Sequence, residues 1–287
     1  MESIWIMGCG DIGRRVARLY QPNNQQLNGW VRSDAARWAG AAAGIMMQQG
    51  DMDTRPDLSA HDFDEAAIFW FMPPPAMGDR DSRLRFFLQQ VQAAPRRIVL
   101  ISTTGVYGDC GGRWIDETAP VQPQTARARR RVDAECALQA WGEQFEREWL
   151  ILRVPGIYAA DRLPIARLQR GEPVICAAQA PWTNRIHADD LARIAQRAMH
   201  VQLSGCMYNA CDSQSSTMTD YFNQVADYVG LARPPQISLE EAQQVLSAGM
   251  LTYLQESRRI SNERLLQDLE IALRYPSLVA ALQANPA

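Results

Sequence analysis

Three glycines, in Gly8-Cys9-Gly10-Asp11-Ile12-Gly13, follow directly on the apolar run Ile4-Trp5-Ile6-Met7. A buried strand that breaks on this spacing and runs at once into an amphipathic segment, residues 14–20, is the context a dinucleotide-binding fingerprint requires. Gly8 allows the tight turn, Gly10 lets a pyrophosphate approach the backbone, and Gly13 lets helix and strand pack closely. The new helix, led by Asp11 and Ile12, aims its unpaired N–H groups and positive dipole end at the phosphates. The competing reading is a Gly-rich strand–helix turn with no ligand. About twenty residues further on, an acid would accept from the 2′-hydroxyl of NAD. Arg32 and Ser33 stand there instead, with Arg37 a helical turn later. An arginine suits a 2′-phosphate, so NADP is favoured, while Asp34 keeps NAD as the alternative. Asp51 falls where the chain passes the adenine.

Two further constellations carry polar chemistry. Ser102-Thr103-Thr104-Gly105-Val106-Tyr107-Gly108 puts hydroxyls and a phenol at the end of an apolar run. Ala126-Arg127-Ala128-Arg129-Arg130-Arg131 is strongly basic, and positions 127, 131 and 135 fall on one helical face. It reads either as a solvated basic face balanced by Asp133 and Glu135, or as an anion site with Arg127 or Arg131 facing a phosphate or carboxylate near the nicotinamide. A nucleic-acid patch is disfavoured because no aromatic stacking platform accompanies the run. The chain contains no lysine: all 29 basic residues are arginine. Schiff-base chemistry and a Walker phosphate lysine are thereby excluded. Asp109, Asp116 and Glu117 read as turn and cap residues. Cys9 reads as a small residue inside the glycine turn, with a thiol lowered by the helix N-terminus as the alternative.

These residues need a scaffold that brings strand ends to one edge. Residues 27–31, 43–48, 66–72, 97–101 and 150–154 read as strands, and 35–43, 81–93 and 125–148 as helices. Residues 66–72 are apolar on both faces, as a central parallel strand is. Met72 and Pro73 end that strand at the ligand-binding edge and are expected against the cofactor. The alternation predicts an α/β, Rossmann-type doubly wound parallel sheet of at least six strands. After Tyr158 proline and glutamine increase, and 217–229 and 239–255 read as long helices without clear strands between. Residues 1–158 and 186–211 are therefore assigned to dinucleotide binding, and 159–185 with 212–287 to a smaller, mostly helical substrate domain.

At 287 residues the chain has ample core, and a net charge of −3 argues against general nucleic-acid or membrane-surface binding. Its longest apolar stretch falls far short of the ~20 residues a membrane span needs. No basic leader precedes an apolar run, so no signal peptide is expected. Six cysteines without C-x-x-C pairs point to a reducing cytoplasm, and three dispersed histidines (His61, His187, His200) to no metal site.

The glycine turn, the 102–108 motif, Arg153-Val154-Pro155-Gly156-Ile157-Tyr158 and Arg185-Ile186-His187-Ala188-Asp189-Asp190-Leu191 stand in one order that resembles the extended short-chain dehydrogenase/reductases, the group of nucleotide-sugar epimerases and dehydratases. The resemblance covers about residues 1–212 and implies a catalytic hydroxyl at Thr103, with Ser102 beside it, and cofactor contacts at Pro155. It also implies a Tyr-x-x-x-Lys pair followed by a glutamate. Glu135 fits that glutamate, which puts Arg131 in the lysine position and Arg127 in the tyrosine position. Arginine can supply charge and ribose hydrogen bonds, but with a pKa above ~12 it does not exchange protons near neutrality. The resemblance therefore implies an atypical member, with Arg127 stabilising oxyanion charge; Tyr107 is a candidate substitute proton carrier, although in the family this tyrosine is mostly structural or lines the substrate pocket. Tyr158 lines the cleft, and His187 with Asp189 orients the return helix. Two functions follow: an NAD(P)-dependent oxidoreductase or epimerase acting on a nucleotide sugar or similar anionic metabolite, or a non-catalytic redox sensor that kept the pocket. A homodimer is compatible with either.

Overall fold

The computed structural model describes residues 3–23, 25–246, 251 and 254–284. In chain order the strands are β1 (Ile4–Met7), β2 (Leu27–Val31), β3 (Met46–Gln49), β4 (Ala67–Trp70), β5 (Arg97–Thr103), β6 (Trp114–Ile115), β7 (Glu148–Val154), β8 (Gly156–Tyr158), β9 (Val174–Ile175), β10 (Trp182–Thr183), β11 (Arg185–His187) and β12 (Cys206–Asn209). Seven of them form one sheet in the order β12-β7-β5-β4-β1-β2-β3, and every pairing in it is parallel. The order reverses at β1, so the crevice between the β1 and β4 ends is the switch point where ligands bind in such sheets.

The period-two alternation of the central strands fills both faces. Ile4, Ile6, Phe69, Val99 and Leu150 point to one side, against α1 (Asp11–Tyr20) and α6 (Ala188–His200). Trp5, Met7, Ile68, Trp70, Ile98 and Leu100 point to the other, against α3 (Ser82–Val91) and α4 (Ala126–Phe145). The helix preceding these, α2 (Asp34–Ala41), covers β3 at the sheet edge. Short two-residue ladders tie later segments back: β9 pairs with Gln236–Ile237, β10 with Ser216–Thr217, and β6 with Arg259–Ile260.

Two expectations change. The third strand is Met46–Gln49, because residues 42–45 complete the exit turn of α2. A seventh strand, β12, joins the edge, in keeping with the expected sheet of at least six. The segment read as one helix over 239–255 is helical over Leu239–Val245, opened by a Ser238/Glu241 capping box and ended at Leu246, which turns extended. Residues 247–250, 252 and 253 of that segment lie outside the described residues. Among the described residues no helix is long and apolar enough to cross a membrane, and the six cysteines are unpaired.

Candidate functional site

The glycine turn divides its three positions by packing. Gly8 adopts φ 90°, and a Cβ there would fall 2.6 Å from the backbone nitrogen of Met72. Its N–H donates to the Trp30 carbonyl at 2.9 Å, so the turn is clamped between the β2 and β4 ends. A Cβ at Gly13 would meet Ile6 Cγ2 at 2.9 Å, the close helix–strand contact. Above Gly10 the space is open, with the nearest atom Gly8 O at 3.9 Å. Gly10 is also the N-cap of α1 and supplies no capping side chain. The first turn, Asp11 to Gly13, thus offers its N–H groups where backbone can be approached. The geometry fits a phosphate group. Cys9, beneath the turn, is buried, and desolvation pushes its thiol up to about 11, outweighing nearby Arg14. The lowered thiol that a helix N-terminus can give is therefore corrected. Asp11 pairs with Arg15 and Arg162, each at 3.1 Å.

On the β2–β3 side Arg32 is exposed at the strand end. The Ser33 hydroxyl accepts from the Ala36 N–H at 3.3 Å and so caps α2. Asp51 caps the following turn by accepting from the Asp53 N–H. Met72 is buried and Pro73 exposed, and the Pro73 carbonyl accepts from Arg83 at 2.8 Å.

Helix α4 brings Arg131 and Glu135 inward and leaves Arg127 outside. Arg131 is buried and donates to the Met72 carbonyl at 3.4 Å, at the edge the glycine turn occupies. Burial pulls its pKa down to about 10, opposed by Asp81, so it stays cationic at neutral pH. Asp81 itself is fully buried, with one carboxylate oxygen unpartnered and the other capping α3. The solvated-face reading of the arginine run is corrected, since Arg130 and Arg131 are buried while Arg127 and Arg129 are exposed.

Ser102 and Tyr107 enter a closed polar network rather than an open pocket. Ser102 Oγ donates to Glu135 at 2.5 Å, and Arg153 makes a bidentate pair with the same carboxylate at 2.7 and 3.2 Å. Arg153 also donates to the Tyr107 hydroxyl at 3.0 Å, and that hydroxyl donates to Asn209 Oδ1 at 2.8 Å. Tyr107 is 1% exposed and burial raises its pKa. Neither group faces a substrate in this arrangement. Thr103 is half-buried at the β5 end, its hydroxyl accepting from the Gly105 N–H at 3.2 Å. Asp109 and Asp116 cap turns. Buried Glu117 accepts from the Asn209 N–H at 2.6 Å.

Beyond the half-buried Pro155, β8 and β11 lie parallel and set Tyr158, Arg185 and His187 together. Arg185 stacks its guanidinium 4.0 Å from the Tyr221 ring centre and donates to Ser216 Oγ at 2.9 Å. Among the described residues no carboxylate pairs with it within 4 Å, although it is buried. Asp212 faces it; burial raises that carboxyl to about 7. The buried Tyr158 hydroxyl faces Asp212 without a hydrogen bond, and burial raises its pKa. His187 Nδ1 accepts from the Asp189 N–H and caps α6, and burial lowers its pKa. Sequence reasoning missed Arg185 and Asp81 as individual residues. The motif around Arg185 was read only as an anchor, and a cap aspartate looks alike whether exposed or buried.

Residues 86–211 match the NAD dependent epimerase/dehydratase family. The matched segment runs from within α3 to just past β12. Protein YeeZ of Escherichia coli K12 is 25% identical over 96% of this chain and 97% of its own. A functionally unknown conserved protein from Silicibacter pomeroyi superimposes with a TM-score of 0.84 at 27% identity, covering 99% of this chain and 98% of that one. The fold is shared at 15% identity with UDP-glucuronic acid 4-epimerase from Bacillus cereus in complex with NAD, with a TM-score of 0.79 over 98% and 96% of the two chains. Arg127 and Arg131 lie inside the matched region.

Proposed function

We propose that this chain is a member of the epimerase/dehydratase family that binds NADP, or NAD as the alternative, along the β1–β4 crevice and acts on an anionic, nucleotide-sugar-like metabolite. The open approach at Gly10, between two glycines that packing closes, carries the reading. Gly8, Gly10, Asp11, Ile12 and Gly13 would hold the pyrophosphate. Arg32 with Ser33 would hold the 2′ end, and Asp51 the adenine side. Met72, Pro73, Arg131 and Pro155 would line the rest. Bound dinucleotide would supply hydride transfer. Thr103 would orient the substrate's reacting oxygen. Arg131, buried and cationic, would hold ribose hydroxyls and fix positive charge at the groove without moving a proton. Arg185 would take a phosphate or carboxylate, since a buried guanidinium without a carboxylate partner is poised for an anion. Residues 1–158 and 186–211 then form the cofactor part, and 159–185 with 212–287 the substrate part. Six unpaired cysteines support a cytoplasmic setting.

The non-catalytic reading has its own support. Ser102 and Tyr107 are occupied in the buried network, and Arg127 is exposed at the helix start. Arg127 is then a surface cation, whose truncation costs an anion much less than loss of a buried partner does. Titration of the purified protein with NADH and NADPH tests binding, and a nucleotide-sugar screen for cofactor turnover separates the two readings. Binding with turnover supports the enzyme, binding without turnover the sensor. Binding of neither dinucleotide rejects both.

A further inference from the structure

Arg32 stands between two acids, and each is committed elsewhere. Asp34 pairs with Arg37 at 3.6 Å. Asp53 is gripped by Arg83 through Nε at 2.7 Å and Nη2 at 2.5 Å, a two-point fork that holds a carboxylate in one orientation. The backbone brings Asp53 close to Arg32. Val31 pairs with Gln49, the Gly50 N–H donates to the Val31 carbonyl at 2.9 Å, and Gln49 Nε2 donates to the Arg32 carbonyl at 3.3 Å. The turn carrying Asp53 therefore starts across from Arg32. The Asp53 carboxyl is held below its usual range first by the Arg83 hydrogen bonds, with smaller help from the charge on Arg32. The remaining acid, Asp51, caps its own turn. Arg83 is the better-buried member of its pair, with 10% of its side chain exposed against 42% for Asp53, and it is also fixed to the Pro73 carbonyl. Among the described residues the Arg32 side chain makes no ion pair.

We propose that Arg83 is a specificity-determining residue: by holding Asp53 it leaves Arg32 unneutralised for a 2′-phosphate, and so sets the groove's preference for NADPH over NADH. This rests on the reading of Arg32 as the 2′-phosphate ligand. Without Arg83, Asp53 is a free anion beside Arg32, and it both pairs with that cation and repels a phosphate. Both groups are partly exposed, so the effect is modest and screened by salt.

The test measures Kd for NADPH and NADH by nucleotide fluorescence in wild type, R32A, R83Q, D53N and the R83Q/D53N double variant, at low and high salt. The expected result is an NADPH preference in wild type that R83Q reduces by about three- to tenfold at low salt. The double variant should restore it, because the freed carboxylate is gone. D53N alone should leave the ratio within about twofold of wild type, since Arg83 already neutralises that charge; this variant does not depend on R83Q folding. An R83Q ratio equal to wild type overturns the proposal, as does a double variant as impaired as R83Q, or a large gain of NADPH preference in D53N. Failure of the underlying reading is distinct: R32A then weakens both dinucleotides equally, or wild type shows no NADPH preference, and the proposal falls with it.

Discussion

Glu135 and Arg153 each keep only 4% of their side chains exposed and meet at 2.7 Å, with Ser102 supplying a further hydrogen bond to the carboxylate. Removing one member of a buried pair strands the other charge. Glu135→Ala is therefore expected to cost about 3–5 kcal/mol of stability, and Ser102→Ala about 1–3 kcal/mol, in urea unfolding. A catalytic Ser102 would instead lose turnover with little change in unfolding midpoint. Asp212 gives a pH-dependent counterpart. Burial raises its carboxyl to about 7, so the native state binds its proton more tightly than the unfolded chain does. The stabilisation is fully present below the ordinary carboxylate range and is lost as pH rises through about 7. Stability should fall over this interval with a slope approaching ~1.4 kcal/mol per pH unit from this one group. Asp212→Asn should flatten the slope between about pH 4 and about pH 7, the span from the ordinary carboxylate range to the raised value. His187, whose pKa burial lowers, works oppositely by favouring the native state less as pH falls. Comparing wild type with the Asn variant cancels that contribution. An unchanged slope would mean that Asp212 is not the titrating group.

At the scale of elements, the β1–α1 turn separates folding from binding within six residues. Gly13→Ala pushes a methyl toward Ile6 Cγ2 at 2.9 Å, an overpacking expected to cost about 1–3 kcal/mol. Gly8→Ala is worse, because its φ of 90° disfavours a side chain and its Cβ meets backbone rather than a movable side chain. Gly10→Ala has room, so its melting temperature should match wild type within a degree or two (about the effect of a few tenths of a kcal/mol). Its affinity for NADPH and ADP-ribose should nevertheless drop tenfold or more, roughly the loss of one charge-assisted hydrogen bond. If Gly10→Ala binds dinucleotide like wild type, the pyrophosphate does not lie over that glycine.

Across the whole molecule, Arg15 joins three separate parts of the chain. It contacts Asp11 at 3.1 Å on its own helix, Asp189 at 2.6 Å on α6, and Asp161 at 3.1 Å in the short turn Ala160–Arg162. Asp11 also holds Arg162 of that turn. The N-terminal end of α1 is thus tied to the segment that follows β8. The carboxylates are partly exposed, so Arg15→Met should cost about 1 kcal/mol or less in global stability. Its main effect is expected in hydrogen exchange, as faster amide exchange in residues 160–162 and in the first turn of α6. Protection unchanged there, with a globally lower midpoint, would show that the arginine contributes packing rather than a tie.

The sequence by itself determined the sheet and its ligand-binding edge. Apolar runs of period two broken by helices of period 3.6 admit few arrangements, and the Gly8–Gly13 turn fixes which end of the sheet faces a ligand. It also determined what chemistry is missing, because a chain without lysine has no Tyr-x-x-x-Lys pair whatever its fold. The tertiary structure decided which polar side chains are free. Ser102 and Thr103 are neighbours of one chemical type, yet strand alternation sends Ser102 to Glu135 on α4 and leaves Thr103 half-exposed. Arg127 and Arg131 share a helical face in sequence, but Arg127 lies exposed in the first turn of α4, and Arg131, one turn on, is buried and reaches the Met72 carbonyl. Arg185 and Asp53 took their environments from partners 31 and 30 residues away, Ser216 and Arg83. Charge, burial and pairing at such positions depend on contacts between distant segments, and local sequence pattern carries no information about those contacts.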